Sequence, residues 1–348
     1  LNKLVWMSNL DYQGMSDRQL EMACRSDGIY YFNWTAEVYS FGKCYREMAD
    51  YPKFLPLFFY SDHGVGLQSN LYPHELNNKT SLHFTWHPLK AEKYNNHKQR
   101  KILQIVHPWI LYRRKKEYRR SECTKGTLVF FAHHVPGVEP SGHDDDEYLY
   151  RLKQLPEKFH PIVLCMHMHD INAGYHKKIR HWGLPIVTVG NVYDDSFIDR
   201  FYQLVSQFSY GTSMEWGSQA AYMAELGVPY FFLGKPPTFI NLNHKEFPKG
   251  EINRFQDDIH KSYVRKANDL FSHKLDYVSE DQLLFINEIL GLNSPFTEKD
   301  ISNFIWKAFF NSWQQWHHIF FRIIFMLLSA VGLIKLVKKA YHKISNFL

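Results

Sequence analysis

Short apolar runs alternate with segments of helical period along most of the chain. In the first hundred residues Leu4–Ser8, Ile29–Asn33, Leu55–Tyr60 and Ile102–Val106 read as strands, and Thr80–Trp86 as a further strand of ambiguous period. Asp17–Arg25 and Glu37–Ala49 read as the helices between the first three. From Arg113 to Lys125 the chain turns charged and polar, which marks a domain boundary. Beyond Gly126 the alternation is cleaner: strand Thr127–Ala132, helix Asp144–Gln154, strand Ile162–His167, helix Ala173–His181, strand Ile186–Val189, helix Asp195–Ser206, strand Phe208–Tyr210, helix Gly217–Leu226 and strand Tyr230–Leu233. Two helices follow a Pro-rich loop, around Gln256–Phe271 and Glu280–Leu290. Gly183, Gly190 and Gly227 fall where helices stop or strands turn, as C-cap glycines do.

Strand and helix in strict alternation predict βαβ units around parallel sheets, hence an α/β fold with two Rossmann-like domains facing a cleft. The expected division is residues 1–120, residues 121–300 and a helical tail, residues 301–348. In the tail Phe304, Ile305, Phe309, Trp313, Trp316, Phe320, Ile324, Leu327 and Val331 recur mostly three or four apart, one helical stripe, with Lys307, Asn311, Gln314, His318 and Arg322 on other faces. The uncharged run Ile323–Ile334 is twelve residues long, short of the roughly 20 that a spanning helix needs. An amphipathic helix lying in the interface of an anionic membrane is the expectation.

Charge sharpens this picture. The net charge of +6 resides in Lys307, Arg322, Lys335, Lys338, Lys339 and Lys343, because no acidic residue follows Asp300, and residues 1–300 are formally neutral. A basic excess confined to the tail favours a lipid surface over nucleic acid. A second cluster, Arg113, Arg114, Lys115, Lys116, Arg119 and Arg120, reads either as a solvated linker or helix face or as a contact for anionic lipid or acceptor. The 45% hydrophobic and 17% aromatic content excludes disorder. Cys24, Cys44, Cys123 and Cys165 lack CxxC spacing and fit free thiols in a reducing, cytoplasmic compartment. The chain opens at Leu1 with no signal-peptide pattern, directly before a strand-like run.

Ligands of open α/β sheets lie beyond the carboxyl ends of the strands, which directs attention to Asp62, His63 and Gly64, to His133 and His134, to His167, His169 and Asp170, and to Gly190 and Asn191. The strongest local pattern is Tyr210–Ser218, a strand running through small hydroxylic residues into a helix. There the free N–H groups of the helix start, a close approach at Gly217 and the hydroxyls of Ser213 and Ser218 could hold a phosphate; a plain helix cap is the alternative. Neither GxxxxGK[ST] nor a complete GxGxxG is present, which argues against a P-loop ATPase and a dinucleotide enzyme. Asp144–Asp146 opens a helix, where acids complement the dipole without a metal.

The segments GTLVFFAHH, HPIVLCMHMHDINAG, GLPIVTVGN and SYGTSMEWGSQAAYMAELGVPYFFLG resemble the C-terminal half of GT-B glycosyltransferases from bacterial surface-polysaccharide loci. The resemblance covers Gly126–Gly234 and, more loosely, Leu55–Trp109. It implies a metal-independent transferase without a cofactor, with the nucleotide-sugar donor, a CMP-sugar among the options, held by the second domain. The first domain would receive a lipid-linked or otherwise membrane-held glycan acceptor, at the inner face of the plasma membrane. It implies further that the Ser213–Ser218 turn binds the donor phosphate, that Glu215 holds a ribose hydroxyl, and that the SDHG loop supplies the base, Asp62 or His63. His133 or His134 could neutralise the leaving phosphate.

Two other classes compete. His133, His134, His143, His167, His169 and Asp170 could assemble a zinc or iron site in a metal-dependent hydrolase. A non-catalytic membrane-associated scaffold is the third.

Overall fold

A computed structural model describes residues 12–25, 32–94, 100–134, 137–245, 248–252 and 258–330. The expected strand Leu4–Ser8, most of the expected strand Ile29–Asn33 and the four C-terminal lysines from Lys335 onward lie outside the described residues.

The fold is mixed α/β with parallel sheets. Strands β1 (Tyr60–Ser61), β2 (Leu82–Thr85) and β3 (Lys101–Gln104) form a parallel three-stranded sheet in chain order. Strands β4 (Thr127–Phe130), β6 (Ile162–Cys165), β7 (Ile186–Val187), β8 (Tyr210–Ser213) and β9 (Tyr230–Phe232) form a parallel five-stranded sheet in the order β7-β6-β4-β8-β9. Helices on both faces bury these strands, so Leu128, Val129, Val163, Leu164 and Phe231 are fully enclosed and read as continuous apolar runs. Strand order reverses between β4 and β8, the position at which a crevice opens at the carboxyl edge of such a sheet. A small antiparallel sheet, β11 (Gly250–Glu251), β10 (Thr238–Asn241) and β5 (Val138–Ser141), completes the strands and was not expected.

Several boundaries differ from the hydrophobic pattern, each for a local reason. Leu55–Tyr60 is buried, but ladder pairing starts at Tyr60, since Pro56 has no N–H to donate. The expected helix Ala173–His181 is shorter, Tyr175–Ile179, and an unexpected helix, Met168–Asn172, precedes it, with Gly174 between them in the left-handed region at φ 76°. The helix expected from Glu37 begins at Phe41, after Tyr39 and Ser40 at φ 56° and 61°. Short helices at Pro73–Asn77, Pro88–Tyr94 and Pro108–Lys115 open on proline, whose missing N–H is harmless in the first turn. The expected strand Phe208–Tyr210 is displaced: parallel pairing of Thr127–Phe130 with Tyr210–Ser213 draws Thr212 and Ser213 into β8 and buries them. Gly211 in that strand is required by packing, because a β-carbon there would come within 2.5 Å of the Tyr230 ring and 2.6 Å of Met223 Sδ on the helix above.

The tail is not one continuous helix. Helix Glu298–Asn311 ends at Ser312, a 3₁₀ turn covers Trp313–Gln315, and a second helix runs from His317 to Ala330. At the break the Phe309 carbonyl accepts from Ser312 N and from the Trp316 indole, both at 3.1 Å. The expected stripe is divided accordingly. Ile301, Ile305 and Ala308 are buried, and the Trp306 indole donates to Ala49 O on helix Phe41–Ala49. Trp313, Phe320 and Leu327 face outward, each more than 60% exposed, beside exposed Phe310 and Trp316. Arg322, expected on a solvated polar face, is buried; its guanidinium donates to Glu37 at 2.8 Å and to Lys53 O. The Arg113–Arg120 cluster is also largely engaged within the chain. Arg113 and Arg114 meet Glu225 at 2.7 and 3.1 Å, Lys116 meets Glu47 at 3.0 Å, and Arg120 donates to Ser209 O and Gly227 O.

Candidate active site

The carboxyl end of β1 delivers Asp62 into a sealed ionic network. Its Oδ1 accepts from His83 Nε2 and Lys90 Nζ, both at 3.0 Å, and its Oδ2 from Thr85 Oγ1 at 2.7 Å. Burial opposes ionisation of this carboxyl, but Lys90 and the hydrogen bonds from His83 and Thr85 outweigh it and hold its pKa well below the usual range. Glu75 Oε2 accepts from Tyr72 N at the start of helix Pro73–Asn77, and both Glu75 oxygens lie 3.5 Å from Lys90 Nζ. Asp62, Glu75 and His83 are the one group among the described residues with metal-ligand spacing, their ligand atoms within 4.8 Å of one another. The cation among them is Lys90.

One lysine serves two acids, and Glu75 holds the weaker contact. Burial raises its pKa from the ordinary 4.5 to about 7, against the pull of Lys90 and with the charge of Asp62 adding to the rise. The folded chain therefore keeps a proton on Glu75 that the unfolded chain has already lost above about pH 4.5. That contribution to stability is complete below the unfolded pKa and disappears as pH rises through about 7. Its size is on the order of 2–3 kcal/mol. Glu75→Gln keeps an acceptor for Tyr72 N–H and is expected to remove most of the stability difference that urea unfolding shows between pH 5 and pH 8; an unchanged difference would mean that Glu75 does not titrate there.

His63, one residue on, is held differently. Its ring lies against Trp34 and His74, with centroids 4.9 and 5.8 Å away, and its Nδ1 is buried without a hydrogen-bond partner among the described residues. Burial, and then the neighbouring His74, push its pKa down to about 4, so the imidazole is neutral near pH 7. The residue as a whole is half-buried. A neutral imidazole is the form that can accept a proton, and an anion bound beside it would raise its basicity.

The loop carrying His63 continues directly to the turn after β8. Val65 N donates to Ser218 Oγ at 2.8 Å, and the Trp216 indole donates to Val65 O at 2.7 Å. The two expected centres, the SDHG loop and the Ser213–Ser218 turn, are thus in contact. Their hydroxyls serve the turn itself. Ser213 Oγ donates to Glu215 O at 2.6 Å, fixing the backbone at Glu215, and Ser218 Oγ receives the crossing loop. Helix Ser218–Glu225 starts after Gly217 in extended conformation, with no side-chain cap. Its first N–H groups and dipole are what this turn offers an anion. Behind it, His107 Nδ1 accepts from Trp109 N, which leaves the proton on Nε2 to be donated to Tyr222 Oη at 2.9 Å.

Across the switch point, after β4, His133 is exposed and His134 half-buried. Both the backbone N–H and Nδ1 of His134 meet Asp170 Oδ1, at 3.0 and 2.7 Å, and this hydrogen bond raises the pKa of the imidazole. Asp170 is buried, with its Oδ2 unpaired among the described residues. His167 caps helix Met168–Asn172 through Nδ1 and approaches Tyr39 Oη at 3.4 Å through Nε2. Its ring lies 4.4 Å from that of His133 and 4.9 Å from that of His169. Burial lowers the pKa of His167 and His169. Among the described residues these histidines, with His143 and Asp170, form no group with metal-ligand spacing, so the arrangement that the hydrolase alternative requires is not assembled.

Gly190 and Asn191 are placed apart from the turn. They follow β7, three strand spacings from β8, roughly 14 Å at the usual separation. Asn191 is occupied with the N-terminal segment, its N–H on Ala23 O and its side chain on Arg25 O. The sequence reading passed over Lys90, Thr85, Val65, Trp216 and Tyr222, all of which shape the site. Trp216 lay inside the recognised motif and was the discoverable one; Lys90 gives no local signal because its partners are 15 and 28 residues away.

No protein-family model matches the chain, and no curated protein sequence matches it. Among solved structures the chain is similar to the wall teichoic acid polymerase TagF, at TM-score 0.38 and 13% identity, over 74% of this chain and 70% of that one. A further TagF structure, of a histidine variant with CDPG, matches at TM-score 0.35 and 15% identity, over 67% of this chain and 57% of that one.

Proposed function

We propose that the chain is a glycosyltransferase that moves a sugar from a nucleotide-activated donor to a membrane-held glycan acceptor in cell-surface polysaccharide synthesis. The observation that carries this reading is the contact of the His63 loop with the uncapped start of helix Ser218–Glu225, through Val65–Ser218 and Trp216–Val65. Glycosyl transfer needs a base at the acceptor hydroxyl and positive charge at the leaving phosphate, and that contact puts candidates for both on neighbouring backbone. His63 is the base. Asp62, which the resemblance offered as an alternative, anchors the loop through Lys90, His83 and Thr85.

The donor phosphate faces the N-terminus of helix Ser218–Glu225, with the Asp170-held His134 and the neighbouring His133 supplying further positive charge as the nucleotide leaves. The protein groups suffice for this without a metal or cofactor. A CMP-sugar is one donor compatible with the site. The exposed row Trp313, Phe320 and Leu327 is the surface that meets an anionic membrane, from its inner side. Among the described residues no helix is long and apolar enough to cross a membrane.

Labelled CMP-, UDP- and GDP-sugars offered to bacterial membranes test the reading. Label is expected to enter the lipid-extractable fraction from one donor class, and to be lost from it when Phe320 and Leu327 are both changed to Glu, a change that also releases the protein from phosphatidylglycerol vesicles. No incorporation from any donor would contradict the proposal.

A further inference from the structure

A cavity of about 470 Å³ opens between the first sheet and the C-terminal helices, within the size range of small-molecule sites. Trp34, Tyr60, Asn77 and Lys79 come from one side of it, and Gln315 and His318 from the other. Its chemistry is uniform in one respect: among the described residues the lining contains a lysine and two histidines but no acid. Aromatic faces beside amides suit the C–H and hydroxyl surfaces of a sugar, and an ammonium without a competing carboxylate suits a phosphate. Gln315 Oε1 is buried here without a hydrogen-bond partner among the described residues, an acceptor that a sugar hydroxyl would satisfy.

The position of the cavity matters more than its lining. Trp34 and His74 both line it, and the rings of both contact that of His63 at a tilt, with centroids 4.9 and 5.8 Å away. His63 is followed by Gly64 and Val65, and Val65 bonds Ser218. The order in space is therefore cavity, His63, phosphate turn. At its other rim the cavity is closed by Gln315 and His318, in the same segment whose Trp313, Trp316 and Phe320 are exposed. A second cavity of about 300 Å³ lies by Met214, Asp144, Glu147, Arg151 and Lys235; its mixed charges and distance from the tail give it no such role.

We infer that the larger cavity is the acceptor subsite and binds the phosphorylated sugar head of a lipid-anchored acceptor, entering from the membrane-facing tail and presenting a hydroxyl to His63. This assignment rests on the transferase reading above.

Calorimetric titration of the full chain with N-acetylglucosamine 1-phosphate tests it, with N-acetylglucosamine and inorganic phosphate as separate probes. The ester is expected to bind saturably and more tightly than either component. Lys79→Glu and Asn77→Trp, both at exposed positions, are each expected to weaken it at least tenfold while leaving the unfolding midpoint and the stabilisation by CMP, UDP or GDP as in the parent chain. Failure of the parent chain to bind the ester saturably, or equal affinity in both variants, overturns the subsite. Ester binding by a chain that no nucleotide stabilises overturns the transferase reading instead, and the acceptor assignment with it.

Discussion

His63→Ala is expected to slow sugar transfer by roughly 10²- to 10⁴-fold, the range general-base catalysis supplies, with donor affinity unchanged. The ring is suited to this role by the way it is held. Its ring meets those of Trp34 and His74 at a tilt, which limits its motion, and its pKa near 4 keeps it neutral. Asp62→Asn provides the contrast. Removing that charge leaves the buried Lys90 facing Glu75 alone, so both stability and rate should fall together, whereas His63→Ala should leave the unfolding midpoint within about 1 kcal/mol of the parent. Pre-steady-state transfer on the two variants separates these outcomes. Transfer by the His63 variant at more than a tenth of the parent rate would remove the residue as base.

Glu37→Gln is expected to be among the most destabilising single changes in the chain. Glu37 accepts from Arg46 at 2.6 and 2.8 Å and from Arg322 at 2.8 Å, and all three side chains are buried. Burial disfavours its ionised form, but the two guanidinium groups outweigh that penalty and lower its pKa. Without the carboxylate, two buried cations face each other, and breaking a buried pair in this way costs about 3–5 kcal/mol. Because Arg322 belongs to the tail, the same change should loosen helix His317–Ala330 from the body and raise its protease sensitivity. Urea unfolding measures the loss; a change below about 1 kcal/mol would show that the triad is not formed in solution. The sign with pH follows from the lowered pKa: this contribution is present above the ordinary carboxylate range and is lost on acidification.

The five-stranded sheet was legible because β4, β6 and β9 are mostly apolar and separated by helical patterns. These three came out within two residues, and β8 did not, since Thr212 and Ser213 look like loop residues until β4 pairs with them. Strand-end positions were the other guide. They selected His63, His134 and the Ser213–Ser218 turn, and the structure joins the loop of the first to the last. They could not separate Asp62 from His63, because what distinguishes them is long-range: Lys90 and His83 reach one, and Trp34 and His74 reach the other. The tail illustrates the same limit. Period alone put Arg322 on a solvated face, whereas the helix break at Ser312 and the buried Glu37 decide where it points.

The most direct test of the central claim is thermal unfolding of the parent chain and of Gly217→Asp with CMP, UDP and GDP. Asp at this position supplies the missing N-cap and is expected to raise stability by about a few tenths of a kcal/mol, its new β-carbon displacing just the flexible end of Gln219. Its carboxylate also occupies the anion position at the helix start. One nucleotide is expected to stabilise the parent, and the more stable variant to lose that response. A variant stabilised by the nucleotide as strongly as the parent would place the phosphate elsewhere and contradict the central claim.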